Sequence, residues 1–102
     1  DIILIGVSSN SEEETKKISN YIYEILKNKI NTKNLKILLY KPVPAPIDKI
    51  KNKFRWRIIV KCKIDEEITD EFNEMVKEID GKTKNSKNEA RVIINVNPSS
   101  ML

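Results

Sequence analysis

The sequence predicts an α+β domain in which two helices cover one face of an antiparallel sheet. Three observations carry this. Apolar residues alternate strictly along "FRWRIIVKC", the period of a half-buried strand. Two other segments, near 11–29 and 66–80, repeat their apolar residues at helical spacing, each with a single stripe. The elements run β-α-β-β-α-β, and two one-sided helices need one face of four strands to bury against. This is the ferredoxin-like, split βαβ arrangement, expected as a single domain over 1–102.

Each element has a local cause. "IILIGV" at 2–7 is a short β-branched run and reads as strand 1. Ser11 with Glu14 three residues on has the form of a capping box, and Glu12–Glu14 suit the positive end of a helix dipole. The stripe Ile18, Tyr21, Ile22, Ile25, Leu26 extends that helix over about 11–29. "NLKILLY" at 34–40 is strand 2. Pro42, Pro44 and Pro46 then predict a stiff, Pro-rich loop over 41–53, because proline removes a ladder donor. Strand 3 starts at Phe54, with Phe54, Trp56, Ile58, Val60 and Cys62 on one face and Arg55, Arg57, Ile59, Lys61 and Lys63 on the other. Asp65 is the expected N-cap of a second helix, with the stripe Ile68, Phe72, Met75, Val76, Ile79 and Gly81 as its stop. "RVIINVN" at 91–97 is strand 4, ended by Pro98.

Charge is local in this chain. Between Lys41 and Lys61 stand seven Lys or Arg and one acid, a local +6, whereas the whole 102-residue chain is +4 and the remainder therefore −2. A concentrated stripe builds a directed field, where an even sprinkling of lysines mainly aids solubility. The alternation places Arg55, Arg57 and Lys61 on the sheet face without helices. Lys49, Lys51, Lys53, Arg55, Arg57 and Lys61 are the candidate contacts to the phosphates of a nucleic acid. A solvated, merely solubilising face is the competing reading.

Other chemistries are excluded or weakened by composition. With no histidine and one cysteine, Cys62, the chain offers no Ser-His or Cys-His pair, no internal disulfide and no zinc ligand set. Gly6 and Gly81 are its two glycines, too few for a phosphate-cradling loop. Ser8, Ser9 and Ser11 read as turn and cap hydroxyls, Asp65–Glu67 as a helix start, and Cys62 as core. No catalytic residue, cofactor site or metal site is expected in this domain, and no run is long and apolar enough to span a bilayer. Trp56 shares the phase of Ile58 and Val60, which favours core anchoring. Stacking on a base stays open for Trp56 and for Phe54 at the strand's start. Cations rather than aromatics on the open face separate this strand from the RNA-recognition type of sheet reader.

The stretch "PVPAPIDKIKNKFRWRIIVK", followed by a helix and then "RVIINVNPSSML", resembles the C-terminal domain of the replication-restart helicase family of primosomal protein N′ (PriA). The motif match covers about 42–63 and 91–102, with the rest matched by element order. Three positions depart from the family pattern: Lys41 stands where a glycine is usual, and Asn95 and Asn97 replace acidic residues of the terminal motif. The resemblance implies the C-terminal domain of a larger, ATP-dependent 3′-to-5′ DNA helicase, and the chain, which begins inside an apolar run, is expected to be an excised piece of one. ATP, Mg²⁺ and Zn²⁺ would belong to the parent. The implied partners are single-stranded or forked DNA, the helicase core of the same chain, single-stranded DNA-binding protein and other primosome proteins, in the bacterial cytoplasm without a membrane. A protein-docking module with little DNA affinity is the alternative, with the prolines, Ile47 and Ile50 packed on a neighbour. A small-molecule regulatory domain of the same topology is the third class.

Overall fold

The computed structural model describes residues 1–50 and 53–98, and over 46–50 the backbone alone. The elements are β1 (Ile2–Ser9), α1 (Glu12–Lys33), β2 (Ile37–Leu39), β3 (Val43–Ile50), β4 (Lys53–Cys62), α2 (Glu66–Thr83) and β5 (Arg91–Val96). The sheet is antiparallel and ordered β2-β4-β1-β5, with β3 also paired to β4. This is the expected ferredoxin-like layout with one strand more. The four-stranded expectation is corrected to five: within the expected 41–53 loop, Val43–Ile50 form a strand.

The reason lies at the edge of the sheet. β2 and β3 share the same side of β4: Ile37 and Leu39 lie opposite Cys62 and Val60, and farther along Val43 and Pro44 lie opposite Arg57 and Trp56. Between these pairs the register slips by one residue, and it shifts again between Pro44 and Lys49. The Tyr40 N–H donates to the Ile59 carbonyl at 3.1 Å, so Ile59 addresses this edge. Hydrogen-bonding direction alternates along a strand, so Arg57 addresses it too, through Val43, and the Pro44 nitrogen faces away from β4. Proline is excluded from central strands but not from an outward position on an edge strand.

The helix ends also differ from expectation. α1 runs to Lys33, four residues past the helix end predicted near 29, because Asn34 takes the left-handed conformation (φ 54°). Its N–H and that of Leu35 both bond the Ile30 carbonyl, and Leu35 buries beside Ile30. At its start, Ser11 accepts from the Glu14 N–H at 3.2 Å as predicted, but the Glu14 side chain accepts from Ser86 rather than returning to Ser11. The Ser11 N–H is instead met by Ser9 Oγ. α2 is capped by Asp65, which accepts from the Ile68 N–H at 2.8 Å. It continues through Gly81 to Thr83, because the chain has no glycine at positive φ and the expected left-handed stop does not form.

The core lies between the helices and the inner sheet face. Ile3, Ile5 and Val7 of β1 and Ile58, Val60 and Cys62 of β4 meet Ile22 and Leu26 of α1 and Ile68, Phe72, Met75 and Ile79 of α2. Burial of Cys62 pushes its thiol above the ordinary value, the protonated and unreactive state.

One ion cluster ties the helices together. Glu71 on α2 is buried and accepts from Lys33 at 2.6 Å and from Lys29 at 3.2 Å. The Lys33 bond is the chief cause that holds the Glu71 carboxyl below its ordinary 4.5, and the same bond raises Lys33. A depressed carboxyl stabilises the fold above its ordinary value and loses that stabilisation as pH falls through the depressed one. Urea midpoints measured from neutral to acid pH should therefore drop along a limb that Glu71→Gln flattens, with a cost of about 1–2 kcal/mol near pH 7. An unchanged acid limb would remove Glu71 from the stability balance.

Candidate nucleic-acid interface

The helix-free face belongs to the five-stranded sheet, and the register fixes which side chains share it. Along β4 the exposed Arg55 and Lys61, the half-buried Arg57 and Ile59, and Lys53 point outward, while Ile58, Val60 and Cys62 point into the core. Their outward neighbours on β1 are Ser8, Gly6, Leu4 and Ile2, opposite Arg55, Arg57, Ile59 and Lys61. On β5, Arg91, Ile93 and Asn95 lie opposite Ser8, Gly6 and Leu4. On β2, Leu38 lies opposite Lys61. Within β1, β2, β4 and β5, no outward position is acidic.

Arg91 belongs to this face and was not anticipated from the sequence. It and Arg55 flank Ser8 from its two sides, which puts their backbones about 10 Å apart, two strand spacings. Along β4, Arg55 to Lys61 spans about 20 Å at the rise of an extended chain. The result is an L of cations rather than a single stripe. Beyond its end, Lys36 and Lys63 join Lys61 around an open basin that Leu35, Ile37, Leu38 and Asp1 also line.

The other candidates fare differently. Lys53 pairs with Glu89, a residue in the left-handed conformation (φ 54°), and Lys53 holds the Glu89 carboxyl below its ordinary value. Lys53 thus reaches a phosphate only in competition with that carboxylate. Lys49 lies opposite Phe54 in register, but its side chain, like the whole of Lys51, lies outside the described residues, as do the side chains of Ile47 and Ile50. Phe54 and Trp56 are half-buried on the helix side, opposite the buried Ser9 and Val7, and so do not join the cations. Among the described residues, no group of three His, Cys, Asp or Glu could hold a metal ion, and no helix is long and apolar enough to cross a membrane.

At the sheet's end, Asn97 (φ 48°) has a structural task. Its N–H donates to the Ile2 carbonyl at 2.6 Å, and its Oδ1 accepts from the Ile2 N–H at 2.8 Å. The amide group also donates to Asp1 at 3.2 Å. An amide supplies donor and acceptor together, which a carboxylate at this position would not.

Fold and face together define an α+β module with a cationic open sheet. The fold is that of three de novo designed proteins: Foldit4 (TM-score 0.62, 16% identity, 95% of this chain and 97% of that one), LFR1 1 with ferredoxin fold (0.60, 13%, 96% and 84%) and Ferredog-Diesel (0.54, 16%, 94% and 85%). At such identities the likeness concerns the fold alone. No curated protein sequence matches the chain. The family model "Primosomal protein N C-terminal domain" matches residues 1–99. The chain belongs to this family, and with it to the primosomal proteins of replication restart.

Proposed function

We propose that this domain is the non-catalytic, DNA-binding C-terminal domain of an ATP-dependent replication-restart helicase, without a cofactor of its own. It takes single-stranded or branched DNA on the open sheet face, with Arg55, Arg57, Lys61 and Arg91 on the phosphates; Lys49, Lys51 and Lys53 are the further phosphate contacts of this proposal. The single observation that carries the reading is the absence of any acidic outward position within β1, β2, β4 and β5, where five cations stand, Lys53 among them paired with Glu89. Such a surface concentrates a polyanion, and Arg in particular offers phosphate a bidentate fork.

Salt dependence tests this. About four phosphate contacts to a single strand give a slope near −2.8 for log K against log salt concentration. Anisotropy titrations of a labelled oligonucleotide at several salt concentrations read that slope. A flat response sinks the electrostatic reading.

A second reading has its own observation. Leu38, Tyr40, Val43 and Ile93 are exposed on or beside the same face, so a protein partner such as the helicase core or single-stranded DNA-binding protein would also find apolar surface there. Retained partner binding after reversal of Arg55 and Arg57 would favour that reading.

A further inference from the structure

The apolar residues among the cations need an account, because a face that only grips phosphate has no use for them. We infer that Tyr40 is a stacking platform for a base, and that the face therefore selects single-stranded nucleic acid over duplex. This rests on the DNA-binding reading above and deepens it.

The placement of Tyr40 follows from the ladder. Ile37 and Leu39 turn toward the core, so Leu38 and Tyr40 turn outward, and the Tyr40 N–H to Ile59 carbonyl bond carries the pairing past the end of β2. Tyr40 is 45% exposed, and among the described residues it is the one aromatic side chain on the open face. Tyr21 and Tyr23 are on α1, Phe72 is in the core, and Phe54 and Trp56 face the helix side.

Its neighbours complete the chemistry. The Lys61 ammonium lies 5.5 Å from the centre of the Tyr40 ring, a loose cation–π contact. That distance lets the lysine turn to a phosphate while the ring receives the attached base. Leu38 and Val43, both exposed, flank the ring along the same edge, and Lys36 and Lys63 lie beyond Lys61 around the basin. Alternating π or apolar surface and cations is the pattern on which single strands bind. A duplex keeps its bases stacked inside and presents phosphates, so it would use Lys61 and the arginines but neither Tyr40 nor Leu38.

The test compares the chain and its Tyr40 variants on two probes: an oligothymidine of about twenty nucleotides, and a blunt hairpin duplex of equal phosphate number. Tyr40→Ala should weaken oligothymidine binding roughly ten-fold, leave its salt slope unchanged and leave duplex binding unchanged. Tyr40→Trp should restore the affinity, and Tyr40→Leu, which keeps apolar area without a π-face, should not. Thermal midpoints close to that of the unchanged chain show that the variants remain folded. Oligothymidine affinity within two-fold for Tyr40→Ala, or equal losses on both probes, overturns the inference while a steep salt slope leaves the DNA-binding reading standing. Absence of salt-dependent binding by the unchanged chain overturns both.

Discussion

Replacing Arg55 and Arg57 together by Glu should lower affinity for single-stranded DNA by about a hundred-fold or more at low salt. Two attractive charges at the centre of the face become two repulsive ones, and the neighbouring Lys61 and Arg91 gain carboxylates to pair with. The salt slope should shrink as well, by about 0.7 per lost phosphate contact. Arg55 is exposed and outward-facing, so its reversal leaves the core untouched. Arg57 is more enclosed, and the single variants separate its structural part from its electrostatic part. A companion change runs the other way. Glu89→Gln removes the carboxylate that Lys53 pairs with and should raise affinity two- to three-fold, an order-of-magnitude expectation for one recovered exposed cation. If the double reversal leaves DNA binding within a few-fold, the sheet face is not the DNA site, and an interface with a protein becomes the better account.

The second expectation concerns stability. Ile58→Ala should cost about 3–4 kcal/mol, read as a lower urea midpoint at unchanged slope. Ile58 has no exposed surface, sits mid-way along the strand flanked by β1 and the β2/β3 edge, and packs in the same cluster as Ile5, Ile22 and Met75. Removing its side chain leaves a cavity that two layers of secondary structure cannot close. Against a total stability of about 5–15 kcal/mol, this is a large fraction. The next residue, Ile59, points to the open face, and Ile59→Ala should cost about 1 kcal/mol or less. Equal costs at the two positions would contradict the alternation on which the location of the cationic face depends.

The alternation of β4 was legible because it is local. Each residue from Arg55 to Cys62 shows its side by its neighbours, so the sequence alone places Arg55, Arg57 and Lys61. The helix starts were equally local, since Ser11 and Asp65 sit next to what they cap. Three features were not legible, each for a physical reason. β3 is hidden because proline's missing donor forbids pairing only where the nitrogen faces a neighbour, and the sequence does not show which way it faces. The end of α1 was missed because Asn34 adopts the left-handed turn usually left to glycine. Arg91 and Tyr40 were missed because their membership of the face is a matter of register between strands distant in sequence. Arg91 meets Arg55 only across Ser8, and nothing within "NEARVIIN" announces it.

The outward nitrogen of Pro44 has a consequence for how copies of this protein meet. A foreign strand laid along that side would find a carbonyl with no donor beside it, next to a backbone whose repeat is broken by shifts. On the opposite side β5 is the last strand of the sheet order. Of the two margins, the stretch that bears Pro44 is the poorer template, so association of copies through sheet edges is expected to favour β5.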